Sequence, residues 1–370
     1  MRSILLLIIL LCLCTPISAQ KNDTYRPFSL QVNYLNGLII PKTDHLNYLI
    51  QDKISAIEIR LGFHPNPKIN WINQYAVSEV GLAYYTGDLG NDKILGKINS
   101  IYPYISFTLL KWGNLKFNTD VGLGLAILSK YYHPVDNYAN SLLGSKYNAN
   151  VNLSTSIKYS LADIDFIGGL YFSHISNGSS QHPNDGYNFI NSKIGISYNF
   201  GKKKEYVKLN VSYPKQPNEF SIVSNHAFRE KSTNDPHKYY ISTLSITHVW
   251  GLNSKQRFGL GIDLFYDKSI NRGDWNLNPE TSFDHRFHQG VFVAHDLIFN
   301  KFTFITQLGV YTYYKSSPSS QSIYNRLGLR YRFSKHLLVN IGLKAYFDKS
   351  DYIEFGIGYY INKKKKHARI

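Results

Sequence analysis

Hydrophobic and polar residues alternate over long stretches of this chain. From Leu115 to Ile127 the sequence LKFNTDVGLGLAI places Leu, Phe, Thr, Val and Ile at odd positions, and Lys, Asn, Asp, Gly and Ala at even positions. The segments 147–160 and 352–361 repeat this period of two. Successive side chains of a β-strand point to opposite faces of the sheet. Each segment therefore predicts a strand with one apolar and one polar face.

The length of these segments indicates where the strands lie. A tilted transmembrane strand needs about 9–11 residues, whereas strands of soluble domains cluster near 5–6 residues. The alternating segments run as long as the transmembrane class or longer. Lipid cannot satisfy an open sheet edge, so a sheet that spans a bilayer closes on itself. We therefore expect an all-β fold, a transmembrane antiparallel β-barrel of the bacterial outer membrane.

Turns and loops divide the chain into strands and suggest one barrel. Short polar turns are predicted at 111–114, 161–165, 201–205, 251–256 and 333–336, and longer loops at 41–53, 128–146, 177–186, 214–238 and 269–286. Short turns are typical of the periplasmic side and long loops of the outside. This division gives about sixteen strands, with 12–16 compatible, and about eight of them precede Gly201. No linker rich in Pro, Gly or Ser separates the halves, so we expect a single barrel over 20–362, made of strands in 27–200 and additional strands in 201–362.

The N-terminus and the composition agree with an exported barrel. Met1-Arg2, an apolar run over 4–14 and the small residue Ala19 predict a signal peptide at 1–19. Both cysteines lie inside it, so disulfides, thiolate metal sites and a cysteine nucleophile are excluded from the mature chain. The 30 Tyr and 21 Phe suit a lipid-facing exterior. The net charge is +16; the basic tail 363–370 is expected in the periplasm, and no nucleic-acid partner is expected.

A cluster of polar residues interrupts the alternation near YFSHISNGSSQHPNDGYNF, residues 171–189. The period places His174 and Ser176 on the apolar face of one strand, and Asn188 on the apolar face of the next. A polar group moved into an apolar medium without a partner costs roughly 2–7 kcal/mol. Mutual hydrogen bonds would remove that cost, with Ser176 as nucleophile, His174 as base and Asn188 holding the imidazole tautomer. The alternative is that the three residues lie among hydrated headgroups and have no catalytic role.

The motif HISNG (174–178) followed by PNDG (183–186) resembles the signature of the lipid A 3-O-deacylase family, also called PagL-type or acyloxyacyl hydrolases. Members are eight-stranded outer-membrane barrels with a serine nucleophile and a histidine base. The resemblance covers the first eight strands. It implies that Ser176 is the nucleophile, His174 the base and Asn184 the oxyanion-stabilising residue. From the residues alone, a backbone N–H near Gly178 is the alternative oxyanion donor, with Asn177 as a supporting residue. The implied substrate is lipid A of lipopolysaccharide in the outer leaflet, with no cofactor and no metal.

One position departs from that family. Asn188 stands where the deacylases usually carry glutamate, and it resembles instead the triad asparagine of outer-membrane phospholipase A, a larger, calcium-dependent and dimerising barrel. Ser179 and Gln181 replace the acidic and arginine residues that follow the glycine in that family, which weakens the calcium interpretation. Phospholipase A activity is therefore the first alternative, with calcium as cofactor only in that case. A non-enzymatic porin or structural barrel is the second, and the oligomeric state stays open.

Basic residues fall into two groups by the same period. Those predicted to face the lumen are Lys116, Lys158, Lys193, Arg326, Arg330 and Lys344. Lys130 and Lys146 lie near the outer ends of strands and are the better candidates for contacts with headgroup phosphate.

Overall fold

The computed structural model describes residues 23–42, 44–206, 211–270, 283–315, 321–347 and 349–361. The expected signal peptide 1–19 and basic tail 363–370 lie outside the described residues. In the described part the chain is almost entirely β, with one 3₁₀ helix at Asp44–Leu49 and short α-helices at Asn70–Tyr75 and Phe283–Arg286. None of the helices in this part is long and apolar enough to cross a membrane.

The first barrel follows a short strand, β1 (Asp23–Tyr25). Its eight strands are β2 (Phe28–Ile39), β3 (Ile54–Phe63), β4 (Val77–Asp88), β5 (Lys97–Trp112), β6 (Leu115–Leu128), β7 (Tyr147–Leu161), β8 (Ile164–Ser176) and β9 (Tyr187–Phe200). Each strand pairs antiparallel with its neighbour in sequence, and β9 pairs back with β2, from Phe28 opposite Phe200 to Ile39 opposite Phe189. This barrel occupies almost the same span, 27–200, that was expected for the first eight strands.

A second barrel follows β10 (Lys204–Tyr206), which pairs with β1 in a separate two-stranded sheet. Its strands are β11 (Glu219–Arg229), β12 (Tyr239–Gly251), β13 (Gln256–Asp267), β14 (Phe287–Phe299), β15 (Phe302–Tyr314), β16 (Ile323–Arg332), β17 (Leu337–Tyr346) and β18 (Lys349–Ile361). Here β18 closes against β11, with Phe220 opposite Ile361. The two barrels belong to separate compact units of the chain.

The expectation of one barrel over 20–362 is therefore wrong, although the two barrels have sixteen strands together in the described part of the chain, as expected. Both edges of β2 are used within the first half of the chain, one by β3 and one by β9. No edge of that sheet is left for β11. The expected loop 214–238 is also wrong over part of its length, since it contains β11.

Side chains fill the lumen of an eight-stranded barrel, which is just wide enough for them. In both barrels these side chains include buried ion pairs. In the first barrel the buried Arg60 guanidinium bonds Glu58 and, at 2.8 Å, Asp120. In the second barrel Arg326 contacts Asp263 at 3.0 Å and Glu354 at 2.7 Å. Five of the predicted lumenal cations are buried, namely Lys158, Lys193, Arg326, Arg330 and Lys344, while Lys116 is half-buried.

Candidate active site

His174, Ser176 and Asn188 meet on the outward face of the first barrel. His174 of β8 stands directly opposite Asn188 of β9, and Ser176 follows two residues later on the same face. The His174 Nδ1 atom lies 2.7 Å from Asn188 Oδ1, and His174 Nε2 lies 3.1 Å from Ser176 Oγ. Because a carbonyl oxygen only accepts, Nδ1–H donates to Asn188 and Nε2 accepts from the serine hydroxyl. This is the tautomer that a general base for serine requires.

Strand geometry holds these side chains in place. The residues inward of them, Ile175 and Tyr187, are fully buried in the hydrophobic cluster at the loop end of the barrel. Tyr171 and Phe189 stack within the same cluster, with ring centroids 6.5 Å apart. A packed core on the inner side of both strands leaves the backbone beneath the site little freedom to shift. The donor and acceptor atoms are thus preorganised on rigid elements.

Asn177 and the segment 183–186 lie beside the serine. The Asn177 backbone N–H donates to Asn184 Oδ1 at 2.9 Å, which fixes the Asn184 amide beside the end of β8. The predicted role of Asn184 as an oxyanion donor stays a prediction. Gly186 has φ +77°, and a Cβ there would lie 2.8 Å from the Ile175 oxygen and 3.3 Å from His174 Cε1. Only glycine allows the loop to pass so close to the histidine. Gly178 also adopts a left-handed conformation, with φ +60°, and its role in an oxyanion site stays a prediction.

The predicted loop 128–146 contacts the residues beside the serine, and the sequence analysis did not predict these contacts. Leu143 forms an isolated β-bridge with Asn184, and the Asp185 N–H donates to the Leu142 oxygen at 2.9 Å. The Asn177 side-chain amide donates to Ser145 Oγ at 2.7 Å. Leu142 and Leu143 are buried, so an apolar pair inside a polar loop was the sequence signal for this packing.

Cations lie around the loop end of this barrel. The exposed Lys146 ammonium lies 5.7 Å from the ring centroid of Tyr147. Lys146 lies three positions before Ala149, which is paired with Ser176. Lys130 donates to the Lys93 carbonyl oxygen at 2.8 Å. Lys42, which the sequence analysis did not single out, lies 3.9 Å from Asp185 of the site loop.

Comparison with known proteins gives two family matches and remote structural neighbours. Residues 57–199 match the family model for lipid A 3-O-deacylase (PagL), and residues 218–363 match that for the acyloxyacyl hydrolase C-terminal domain. No curated protein matches the sequence. Among solved structures, Neisserial surface protein A is 14% identical with a TM-score of 0.33, covering 47% of this chain and 97% of its own. A mutant Rh. blastica porin is 10% identical with a TM-score of 0.18, covering 92% of this chain and 100% of its own. The family matches and the two closed barrels confirm the outer-membrane barrel class that the alternation predicted.

Proposed function

Because the chain belongs to the lipid A 3-O-deacylase (PagL) family, we propose that it is an outer-membrane serine esterase that hydrolyses an acyl ester of lipid A. The observation that carries this proposal is the continuous chain of hydrogen bonds from Ser176 through His174 to Asn188 on the outward face. A serine activated by a histidine is the arrangement that acyl transfer needs. Its outward position lets an ester reach the serine while the acyl chain stays among lipid tails.

The geometry supports a two-step reaction. Ser176 Oγ attacks the ester carbonyl as its proton passes to His174 Nε2, and Asn188 Oδ1 holds the Nδ1–H of the resulting imidazolium. The Asn184 amide nitrogen donates to the oxyanion of the tetrahedral intermediate. His174 then gives the proton to the sugar hydroxyl that leaves, which produces an acyl-enzyme. Water, deprotonated by His174, attacks this acyl group; the proton returns to Ser176 and a fatty acid is released.

The surroundings of the serine fit a glycolipid with anionic headgroups. Lys42 and Lys146 lie beside the site loop and at the end of the neighbouring strand, at the level where phosphate groups of lipid A would lie. Below them the outer face presents Phe166, Leu170 and Ile194 to lipid. A headgroup above and an apolar surface below match the two parts of the proposed substrate.

Two other functions were open from the sequence. Phospholipase A would use the same three residues, and the neutral Asn188 is the observation that favours it. The porin interpretation depended on one wide lumen. The two eight-stranded barrels have lumens filled by ion pairs such as Arg60–Asp120 and Arg326–Asp263, which removes that basis.

Mass spectrometry of lipid A from cells that express the protein tests the proposal. Wild type is expected to remove one acyl chain, and Ser176→Ala to remove none. Ser192→Ala is a matched control, because Ser192 is also an outward-facing serine on β9 and bonds only the Asn36 backbone oxygen in the described contacts. Acyl loss in none of the three proteins, or in all of them and in empty cells, would contradict the proposal. If lysophospholipid were released only with Ser176 and calcium present, and lipid A stayed unchanged, the protein would be a phospholipase A instead.

A further inference from the structure

The second barrel carries its own outward-facing chain of polar side chains. Ser224 Oγ lies 3.1 Å from His226 Nε2, and His226 Nδ1 lies 2.6 Å from Tyr240 Oη. The His226 and Tyr240 rings stack with centroids 5.9 Å apart. Phe228 and Leu244, on the same outward face, are exposed, so the three polar residues interrupt an apolar surface. Polar groups without hydrogen-bond partners are costly on an apolar surface. Here the hydrogen bonds from Ser224 through His226 fix the position of the Tyr240 ring.

Above Tyr240 lies a cationic pocket at the long-loop end of the barrel. It has a volume of about 330 Å³ and is lined by His237, Lys238, Tyr239, Tyr240, Lys268 and Arg286. The Lys268 ammonium lies 5.9 Å from the Tyr240 ring centroid. Arg286 Nη1 donates to Tyr266 Oη at 3.5 Å, and its Nε has no hydrogen-bond partner.

The three cations of this pocket are not held in ion pairs by other described residues. Asp284 pairs with Lys315 and Asp267 pairs with Arg229. Asp235 accepts a hydrogen bond from Tyr239 of the lining at 2.9 Å and forms no ion pair with the three cations in the described part of the chain. Across the residues that the structure describes, no ion pair involves Lys238, Lys268 or Arg286. An unneutralised group of cations with an unpartnered donor indicates an anionic ligand.

The level of the pocket relative to the lipid-facing surface identifies the kind of anion. Phe228, Tyr240, Tyr266 and Phe287 form an aromatic belt across the loop ends of the adjacent strands β11 to β14, and Phe283 bridges the last two rings. Aromatic residues in this position typically meet the headgroup layer. The cations lie at this belt or beyond it. His226 lies two residues below Phe228 along β11, a distance of about 7 Å at roughly 3.3 Å per residue. Phosphate at the pocket and acyl chains below the belt would therefore fit one molecule.

We propose that the second barrel binds a lipid with an anionic phosphate headgroup, held by Lys238, Lys268 and Arg286 against Tyr240. This site goes beyond the proposed esterase and does not depend on it. Binding is proposed rather than hydrolysis because Ser224 lies two outward positions below the belt, whereas Ser176 is the last residue of its strand. His226 is a positioning residue that acts through Tyr240.

Native mass spectrometry of the full chain in neutral detergent micelles tests this site. The background is Ser176→Ala, so that no ester is consumed at the first barrel. The probes are dilauroyl phosphatidic acid, dilauroylglycerol with the same chains and no phosphate, and inorganic phosphate as competitor. Phosphatidic acid is expected to bind at least about tenfold more tightly than dilauroylglycerol, since hydrogen bonds to charged groups are each worth about a factor of ten or more. Inorganic phosphate is expected to compete weakly.

Variants separate the pocket from general charge effects. Lys268→Gln with Arg286→Gln should weaken phosphatidic acid binding by about a hundredfold, with roughly tenfold for each charge lost. Lys301→Gln with Lys335→Gln removes the same charge at the short-turn end and should leave binding unchanged. His226→Phe should lower the preference for phosphatidic acid over dilauroylglycerol while the folded-barrel mobility on unheated gels stays the same.

Three results would overturn the proposal. If the Lys268/Arg286 variant kept its folded-barrel mobility and bound phosphatidic acid as tightly as the parent protein, the pocket would not be the site that recognises the phosphate. Competition by inorganic phosphate at the same concentration as phosphatidic acid would make it a site for the free anion. Fatty-acid release from phosphatidic acid that Ser224→Ala abolishes would make it a second esterase.

Discussion

Asn188 offers the sharpest test of the proposed mechanism, because it is the third member of the hydrogen-bonded series and acts in that mechanism only through His174. Its Oδ1 accepts from His174 Nδ1–H at 2.7 Å. When His174 takes the serine proton, this contact becomes a hydrogen bond from a charged donor, worth about 1.5–3 kcal/mol. Asn188→Ala loses that stabilisation in the transition state. We therefore expect kcat to fall roughly ten- to hundredfold, with KM unchanged.

Asn188→Asp changes the same contact in the opposite direction. Aspartate has the same reach as asparagine and adds a negative charge opposite the imidazolium. The Coulomb attraction between the carboxylate and the imidazolium adds to the charge-assisted hydrogen bond, so a gain of about 1 kcal/mol, or about fivefold in kcat, is expected. The variant thus restores the carboxylate that the related deacylases usually place here.

The assay is release of fatty acid from lipid A in mixed micelles, followed by mass spectrometry at saturating and subsaturating substrate. Asn36→Ala is the matched control, since Asn36 is an outward-side asparagine on β2 that donates to the Ile54 oxygen at 3.0 Å. It should keep wild-type kcat. If Asn188→Ala kept kcat within about twofold of wild type, or Asn188→Asp fell below Asn188→Ala, the assigned role of Asn188 would be refuted.

Two further predictions concern the loop beside the serine and the turn end of the barrel. Gly186→Ala should lower both kcat and the melting temperature, because its φ of +77° and the nearby His174 ring leave no room for a methyl group; the strain is about 1–3 kcal/mol, and unchanged values would contradict this packing. The Arg26 guanidinium lowers the pKa of the Asp163 carboxyl through two hydrogen bonds, so this pair stabilises the barrel above the ordinary carboxyl pKa and loses that effect as the pH falls through the lowered value. Asp163→Asn should therefore reduce the acid-induced drop in melting temperature, and an identical pH profile would argue against it.

The orientation of the strand faces and the residues of the candidate site could be predicted from the sequence, because both depend on local geometry. A period of two decides which residues face lipid, so Lys193 and Arg326 could be placed inward without any structure. The same geometry brings residues two apart onto one face, and a hairpin brings His174 opposite Asn188. The period and the hairpin together therefore predict the contacts of His174 with Ser176 and with Asn188.

The closure of the strands could not be predicted in this way. Alternation is identical whether β9 pairs with β2 or continues into a wider sheet, so the division into two barrels depends on pairings between distant residues. In β11 the inward residues Glu219 and Ser221 are polar and the outward residues include Ser224 and His226, so the two faces differ little. Without a clear difference between the faces, the sequence predicts a loop here, and it does not reveal the hydrogen bonds from Ser224 through His226 to Tyr240.

The closure of each barrel on its own strands also bears on how the chain enters the membrane. Every neighbour that β2 to β9 need is found between residues 28 and 200, and β11 to β18 are likewise complete in themselves. We therefore expect each barrel to insert as a separate unit, closed by the pairing of its own first and last strands. A mutation that prevents closure of one barrel leaves all strand pairs of the other barrel available. A change that disrupts β18 should therefore leave the first barrel, which carries Ser176, able to close.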